Sequence, residues 1–306
     1  MLRVALSTLL TAAAAGSSDC FRPGAVMLDT SGNRIRAHQP YLVALANGSA
    51  LWFGTSKVGA SDGDEGVVNC YASTDASLCR WRYLGPVYNC TAVGAPEPCY
   101  VARPSVLRHP TGEYVMWAKG GGKSLQTASS QRLLGPYREY KAFDPSSSTA
   151  SGGSQSFADH EGRAHLIFSQ KPTNGTTREL RVQKLRDADW LGLDPSSAPL
   201  TIDLHLEAPV PFYSRVAKRY FVWSSHTSGW RPNPAVAHSA PTMAGPWTPL
   251  GNPSRSRTTF GTQGAHVLPL DTVSPCSGAQ RAIYVGGRSR AHGVEHSPPC
   301  IHAVHR

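Results

Sequence analysis

The sequence predicts an all-β fold, a five-bladed β-propeller, on three observations. The 306-residue chain contains 29 glycines and 24 prolines but only 16% charged residues, which is typical of many short strands and turns. Long segments with helical periodicity are absent, and one hairpin pattern recurs five times along the chain. Repeated units of three or four antiparallel strands, spaced by roughly 50 residues, indicate radial blades. A β-sandwich with long insertions is the alternative fold.

Each repeat consists of an apolar strand, a short polar turn that usually contains glycine, and a second strand rich in aromatic or aliphatic residues. The five hairpins are predicted to begin at Pro40, Pro104, Ser154, Pro209 and Gly264. Because blades pack radially, the first strand of each blade lines the central channel, and its start opens onto one end. The residues at those starts are therefore expected to share one pocket: His38, Arg103, Gly153, Glu207 and Gln263.

The N-terminal residues predict export from the cell. Residues 1–16 combine the basic Arg3, an apolar stretch to about Ala15 and small residues at the end, as a signal peptide does. A buried first helix is the alternative. The propeller is expected over residues 20–290, followed by an irregular, histidine-rich tail over residues 291–306, for which a frayed end is favoured over a metal site. Sequons at Asn47, Asn89 and Asn174 suit exposed turns of a secreted glycoprotein.

Seven cysteines agree with an oxidising compartment. Cys70 and Cys79, and likewise Cys90 and Cys99, are close enough in sequence for local disulfides. Cys276 and Cys300 are expected to join the C-terminal segment, which leaves Cys20 without a partner. No C-x-x-C pair occurs, so the sequence does not support a zinc site or thioredoxin-type chemistry.

The charge pattern excludes some partners and leaves others open. The formal net charge is +10, yet the basic residues are dispersed and form no run of five or more, which argues against a nucleic-acid partner. No apolar run approaches the roughly 20 residues that cross a bilayer, which argues against a membrane protein. A diffuse positive field would help a secreted protein to meet anionic glycans. No metal or other cofactor is predicted.

Glu207 is the candidate acid because it is the single carboxylate in the apolar, proline-containing run LEAPVPFY, residues 206–213. A glutamate that is held half-buried keeps its proton to higher pH and can donate it. A solvated glutamate at a strand edge is the alternative. Its predicted place is the start of the inner strand of the fourth blade.

Short motifs at these strand junctions resemble glycoside hydrolase family 43, most closely its exo-acting galactan 1,3-β-galactosidases. The matching pieces extend from about Ile35 to Arg288 in the family's order. They include IRAH (35–38), VNCYASTD (68–75), RPSV (103–106), EAPVPF (207–212), SGWRPN (228–233) and TTFGTQ (258–263). The resemblance implies a five-bladed propeller and hydrolysis with inversion at the anomeric carbon. The implied number of blades agrees with the number of repeats, which was counted independently.

The resemblance also implies roles for individual residues. Glu207 would be the general acid of an inverting mechanism, which needs an acid on the leaving oxygen and a base that activates water. In this group the usual first-blade aspartate is missing, and Gln263 would position or activate water in its place. A neutral amide is a poor base and would need its imidic tautomer. The substrate-binding candidates are His38, Tyr71, Arg103, Trp230, Asn233 and Arg288, with a core position as the alternative for His38 and Trp230.

Two departures from the family pattern count against activity. Ala102 stands where relatives have a substrate-binding glutamate, and Gly153 stands where they have an aspartate that tunes the acid. Each lost carboxylate removes charge-assisted hydrogen bonds worth about 1.5–3 kcal/mol. The loss at Gly153 also removes a negative charge that would raise the pKa of Glu207.

The function expected from the sequence is therefore a secreted, monomeric glycoside hydrolase that cleaves terminal β-1,3-galactosyl linkages of neutral or anionic galactan-type polysaccharide. The alternative from another class is a carbohydrate-binding propeller that has lost catalysis, which Ala102 and Gly153 favour. Hydrolysis of an α-arabinosyl or β-xylosyl linkage is the third possibility, and the missing first-blade aspartate argues against it.

Overall fold

A computed structural model describes residues 26–57, 66–95, 99–120, 124–143, 153–172, 175–229, 231–273, 280–287 and 300–304. Within these ranges the regular elements are 19 strands and one short 3₁₀ helix, Thr259–Gly261. The prediction of an all-β propeller is confirmed. None of the described helical structure is long or apolar enough to span a membrane.

The strands form five antiparallel sheets that follow one another along the chain. Blade 1 contains β1 (His38–Ala44), β2 (Ala50–Thr55), β3 (Val67–Ser73) and β4 (Trp81–Asn89). Blade 2 contains β5 (Ala102–Arg108), β6 (Tyr114–Lys119), β7 (Leu125–Ser130) and β8 (Arg138–Phe143). Blade 3 contains β9 (Ser154–Ala158), β10 (Ala164–Gln170), β11 (Glu179–Lys184) and β12 (Leu200–Leu204). Blade 4 contains β13 (Leu206–Ser214), β14 (Arg219–His226), β15 (Ala235–Ala240) and β16 (Thr248–Gly251).

The last sheet differs from the others because it has three strands in the part of the chain that the structure describes. These are β17 (Gln263–Val273), β18 (Gln280–Gly287) and β19 (Cys300–Val304). The structure thus has four complete blades rather than the five predicted, and a three-stranded sheet takes the remaining place. The expectation of an irregular tail is wrong for residues 300–304, because their backbone pairs with β18 in an antiparallel register.

The first strands of the five sheets contact one another around a central channel, β1 with β5, β5 with β9, and so on to β17, which returns to β1. We call the end of the channel at which these strands begin the upper end, and the other the lower end. All five predicted hairpins are present, as β1–β2, β5–β6, β9–β10, β13–β14 and β17–β18. The chain thereby brings five strand starts to the upper end.

Apolar side chains fill the spaces between neighbouring sheets. The indole of the fully buried Trp52 donates to the Ala37 carbonyl at 3.0 Å, and that of Trp117 donates to the Trp190 carbonyl at 2.8 Å. Trp223 packs against Tyr284 of the last sheet. Trp52, Trp117 and Trp223 are thus core residues. Radial packing of this kind fixes the positions of the inner strands.

The cysteine predictions have mixed outcomes. The Cys90–Cys99 disulfide is present. The predicted Cys70–Cys79 disulfide is wrong, because Cys79 is disulfide-bonded whereas Cys70 is a free, fully buried thiol. Cys70 lies in β3 within the apolar cluster between blades 1 and 2, where its side chain is enclosed. The Cys276–Cys300 prediction, Cys20, Asn174 and the signal peptide lie outside the described residues or their described side chains.

Candidate active site

Backbone irregularities mark the starts of the inner strands. Gln39 and Arg103, the second residues of β1 and β5, and Ala208, the third residue of β13, have positive φ angles of 51°, 51° and 54°. The strand register shifts at the same places, as it does at the start of β17. Such β-bulges re-aim side chains, and left-handed non-glycine residues are strained, which is common at functional sites. The upper end is therefore built from repeated, strained strand starts.

Glu207 lies at the start of β13, and its side chain is largely buried, with 9% of the residue exposed. Burial raises the pKa of its carboxyl above the ordinary value. The positive charges of Arg103, Arg178 and Lys119 oppose this rise without cancelling it. Burial therefore lets the Glu207 carboxyl keep its proton to higher pH than an exposed glutamate does, as the role of general acid requires.

Gln263, at the start of β17, connects this carboxyl to the neighbouring strands. Its amide nitrogen donates to Glu207 Oε1 at 3.3 Å and to Ser225 Oγ at 3.1 Å. Its amide oxygen accepts a hydrogen bond of 2.6 Å from the Arg103 guanidinium. Because the nitrogen donates and the oxygen accepts, Gln263 has the geometry of an ordinary amide. This geometry suits positioning of the acid and of a bound water.

Arg103 ties three inner strands together at the upper end. Its guanidinium also donates to the Gly264 carbonyl at 2.8 Å, and its backbone N–H donates to Gln39 Oε1 at 3.1 Å. The residue is 8% exposed, and burial lowers the pKa of the guanidinium. The pair of bonds to Gln263 and Gly264 fixes the side chain across the channel.

The small residues Gly153 and Ala102 leave room for the Arg103 side chain to extend across the channel. A β-carbon at Gly153, which has a φ of +90°, would lie only 2.9 Å from the δ-carbon and Nε of Arg103. The arginine side chain thus occupies the space above this glycine. Ala102 is buried and is paired in register with Lys119 of β6. Neither position supplies a carboxylate, so the guanidinium bonds to an amide and a carbonyl instead.

The chain is similar in fold to three solved structures of other proteins. A family 43 β-1,3-galactosidase is 27% identical, with a TM-score of 0.75 over 92% of this chain and 59% of that chain. An exo-β-1,3-galactanase from Phanerochaete chrysosporium, with bound β-1,3-galactotriose, is 27% identical, with a TM-score of 0.72 over 92% and 63%. The exo-β-1,3-galactanase of Clostridium thermocellum, 23% identical with a TM-score of 0.72 over 92% and 61%, shows the fold alone.

The resemblance to glycoside hydrolase family 43 is confirmed. This chain spans about three fifths of the length of those three relatives. No protein-family model and no curated protein matches the sequence. The family 43 likeness therefore depends on the fold together with the short motifs at the strand starts.

The remaining family 43 positions differ in where the structure places them. His38, at the start of β1, is 9% exposed and its ring lies beside Gly287. Tyr71 is 3% exposed within the core between the first and last sheets, and its hydroxyl accepts from the Arg36 backbone N–H at 2.9 Å. The structure thus brings His38 to the upper end and encloses Tyr71 in the core. Trp230 and Arg288 lie outside the described residues.

Asn233 shapes the loop beside Gln263. Its side chain accepts from the His226 N–H at 3.1 Å and donates to Ser228 Oγ at 2.5 Å, and its carbonyl accepts from Thr259. A shallow pocket with a volume of only about 10 Å³ lies here. Its lining includes Ser225, Arg231, Asn233, Gln263 and Gly287. Asn233 is thus at the predicted site, but most of its amide capacity holds the loop.

Two residues of the site are not identified by the family 43 motifs. Ser225 is the register partner of Glu207 across the β13–β14 hairpin, so the hairpin pattern could have indicated it. Gln39 precedes Pro40 as Arg103 precedes Pro104, and this repeated position was the available signal. Among the described residues, no second carboxylate contacts Glu207 or Gln263, and no cluster of His, Cys, Asp or Glu could hold a metal ion.

Proposed function

We propose that this chain is a glycoside hydrolase that releases terminal β-1,3-linked galactosyl units from galactan-type polysaccharide with inversion at the anomeric carbon. The observation that carries the proposal is the buried Glu207, whose pKa is raised and whose carboxyl is held by Gln263 at the upper end of the channel. The two 27% identical relatives, a β-1,3-galactosidase and an exo-β-1,3-galactanase, support the linkage.

In the proposed mechanism Glu207 protonates the leaving glycosidic oxygen, and a water attacks the anomeric carbon from the opposite face. Gln263 holds the carboxyl and orients the water by hydrogen bonding. Arg103 keeps the Gln263 amide in one orientation through its 2.6 Å bond to the amide oxygen. The mechanism therefore assigns proton donation to one residue and positioning to two.

Export from the cell forms part of the proposal. Asn47 and Asn89 are exposed at the surface, where sequons can be glycosylated, and the Cys90–Cys99 disulfide suits an oxidising compartment. The protein would act outside the cell as a monomer on polysaccharide. Secretion of the full chain, with loss of residues 1–16 measured by mass spectrometry, tests this part.

A carbohydrate-binding propeller without catalysis is the second candidate function. The absence of a second carboxylate in contact with Glu207 or Gln263, within the described residues, favours it. Inverting hydrolysis ordinarily uses a base as well as an acid, so this site would depend on an unusually weak water activator. The two candidates share the fold and the pocket and differ in turnover.

Hydrolysis of β-1,3-galactobiose by the purified protein and by Glu207→Gln separates the candidates. We expect galactose release by the parent and a loss of about 10³-fold or more in the variant, because the proton donor is absent. NMR at early times should show α-galactose as the first product, as inversion requires. Binding by both proteins without release by either would establish the non-catalytic alternative instead.

A further inference from the structure

A second cavity lies at the lower end of the central channel, away from Glu207. Its volume is about 530 Å³, within the range of about 300–1,000 Å³ that small-molecule sites occupy. All five inner strands contribute residues to its lining. The proposed cleavage of a terminal galactosyl unit takes place at the other end of the channel and does not use this cavity.

Aromatic side chains form much of the cavity wall. Phe157, Phe212 and Tyr213 line the cavity and are half-buried, so part of each side chain remains uncovered. The exposed His160 also lines it, and its ring stacks on Tyr213 with ring centroids 4.6 Å apart and planes 6° from parallel. The face of an aromatic ring is negatively polarised and attracts polarised C–H groups, such as those on one face of a pyranose. The wall therefore offers stacking surfaces to a sugar ring.

Two neutral polar groups of the lining are unsatisfied within the part of the chain that the structure describes. The Tyr41 hydroxyl makes no hydrogen bond there, and burial raises its pKa above the ordinary value. Gln155 is 5% exposed, and its Nε2 donates to His266 Nδ1 at 3.1 Å, but its Oε1 is buried without a partner. Such groups cost stability unless water or a ligand completes their hydrogen bonds. Sugar hydroxyls can do so, because a hydroxyl both donates and accepts.

The charges of the lining favour a neutral ligand. The Asp159 carboxylate is already bonded, to Arg163 Nε at 2.9 Å and to His165 Nε2 at 3.2 Å. Arg215, which also lines the cavity, lies in the exposed turn between β13 and β14. Burial lowers the pKa of His266 to about 3, so the imidazole that contacts both Tyr41 and Gln155 is uncharged at neutral pH.

We infer that the lower cavity is a second binding site, without a part in cleavage, for a neutral saccharide. A pyranose ring would stack on the aromatic wall, and its hydroxyls would supply hydrogen bonds to the Tyr41 hydroxyl and to Gln155 Oε1. Aromatic surface with a few placed polar groups is the usual composition of a small-molecule site. A second site on the same propeller would raise the avidity for a long glycan. The inference depends on the lining of this cavity and requires neither catalysis nor galactose specificity at the upper end.

Calorimetric titration of the Glu207→Gln protein tests the inference with three neutral trisaccharides, β-1,3-galactotriose, cellotriose and maltotriose. The substitution removes the proposed proton donor, so the ligands stay intact during the titration. We expect β-1,3-galactotriose to occupy the upper end, and at least one of the three to bind at the lower end with an affinity between millimolar and micromolar. Indole, an apolar aromatic probe without hydroxyls, is titrated in parallel.

Matched variants in the same background assign each site. Tyr41→Phe keeps the ring and removes only the hydroxyl, so it should weaken binding at the lower site about three- to tenfold, the loss of one hydrogen bond. Tyr114→Phe makes the same change in a half-buried residue of β6 that does not line the cavity, and it should leave every affinity unchanged. Arg103→Met should weaken binding at the upper end alone.

The outcomes separate this inference from the proposed function. A saccharide site that Tyr41→Phe weakens and Arg103→Met does not would establish the lower site, whether or not the parent protein hydrolyses β-1,3-galactobiose. Saccharide binding at a single site that only Arg103→Met weakens, or no saccharide binding at millimolar concentrations, would leave the cavity to water and overturn the inference. Binding of indole without any saccharide at the lower site would also overturn it. Failure of the proposed function is recorded independently, as an absence of galactose release by the parent.

Discussion

The two ends of the central channel are made from the same five strands but have opposite characters. At the upper end, Arg103, Gln263 and Glu207 form one chain of polar contacts on strained strand starts. At the lower end, a larger cavity of about 530 Å³ is lined mainly by rings and neutral groups, among them Tyr41 and His266. The rings of these two residues lie 4.5 Å apart.

The difference shows that cavity size is a poor guide to chemistry in this fold. Burial lowers the pKa of His266 to about 3, so its imidazole is neutral at neutral pH, and it contacts the Gln155 amide at 3.1 Å. The lower end thus stays uncharged at these positions. The upper end, beside a much smaller pocket, has the Glu207 carboxyl with its raised pKa, the buried Arg103 guanidinium and the strained backbone. These features, taken together, mark a functional site.

Among the substitutions that test the difference between the two ends, removal of the Arg103 guanidinium should reduce activity most. Arg103→Met keeps a long side chain but deletes the bonds to Gln263 and Gly264, so the amide no longer holds the acid in one position. We expect kcat/KM on β-1,3-galactobiose to fall on the order of 10²-fold. Arg103→Lys should restore part of the rate, which a purely structural defect would not allow.

The matched control lies on the same strand. Arg108→Met removes an equal charge at the exposed lower end of β5, and its rate should stay within about twofold of the parent. Similar losses in both variants would mean that the two ends of the channel are not functionally distinct. Thermal unfolding of all three variants checks that the proteins remain folded.

The sequence was sufficient for the features that depend on local pattern. Alternating apolar residues and glycine-containing turns identified all five hairpins, and their spacing placed Glu207 at a strand start. The Arg103–Gln263 bond joins residues 160 positions apart. No local pattern encodes it, because it exists only once the ring of sheets closes. The same limit explains Tyr71, whose aromatic character fits a sugar platform and a core position equally well.

Two errors have a common physical origin. Cys70 and Cys79 are near in sequence, but Cys70 belongs to a strand packed between two blades while Cys79 follows it in a turn. Residues 300–304 have little strand character beyond a short apolar alternation, yet β18 offers them a free edge for pairing. In both cases tertiary context decided between local possibilities that the sequence left equal.

A substitution at Gly153 tests whether the position of the Arg103 side chain controls the rate. Its expected effect on kcat/KM is smaller than that of Arg103→Met. Gly153→Ala adds a β-carbon 2.9 Å from the Arg103 side chain, which must move away from Gln263. We expect about a tenfold loss of kcat/KM, together with a loss of about 1–3 kcal/mol of unfolding free energy from the strained backbone. Both quantities are measured on one preparation, by hydrolysis and by urea unfolding.

A substitution at Gly162 distinguishes the effect of backbone strain from the effect of displacing the Arg103 side chain. It has a φ of +80° in the lower-end turn between β9 and β10, and a β-carbon there would meet nothing within 4 Å. Gly162→Ala should therefore destabilise the fold by a similar amount without slowing hydrolysis. A loss of activity in Gly162→Ala equal to that in Gly153→Ala would show that stability alone controls the rate.

A substitution at the lower end should change the pH dependence of stability rather than the rate of hydrolysis. The folded pKa of His266 lies at about 3, below the ordinary value of 6.5, so the unfolded chain binds more protons between these values. Its contribution to stability is complete above pH 6.5 and is lost as the pH falls towards 3, by about 1.4 kcal/mol per pH unit. His266→Gln should flatten this acid dependence of urea unfolding.

The same substitution at the exposed His226 provides the control, and its acid dependence should match that of the parent. Hydrolysis at neutral pH should change little in His266→Gln, since the residue lines the lower cavity and has no contact with Glu207. A large loss of activity with an unchanged acid dependence would place His266 in the upper-end machinery and contradict the contrast between the two ends.

The smallest expected effect is a displaced pH profile. The positive charge of Lys119 lowers the pKa of Glu207, so Lys119→Met should raise that pKa further. Because the acid acts in its protonated form, the alkaline fall in kcat/KM should then move to higher pH. Lys218→Met, which removes an equal charge from the exposed β13–β14 turn at the lower end, should leave the profile in place. A shift to lower pH in Lys119→Met would mean that the titrating group is a cation or that Glu207 acts as a base.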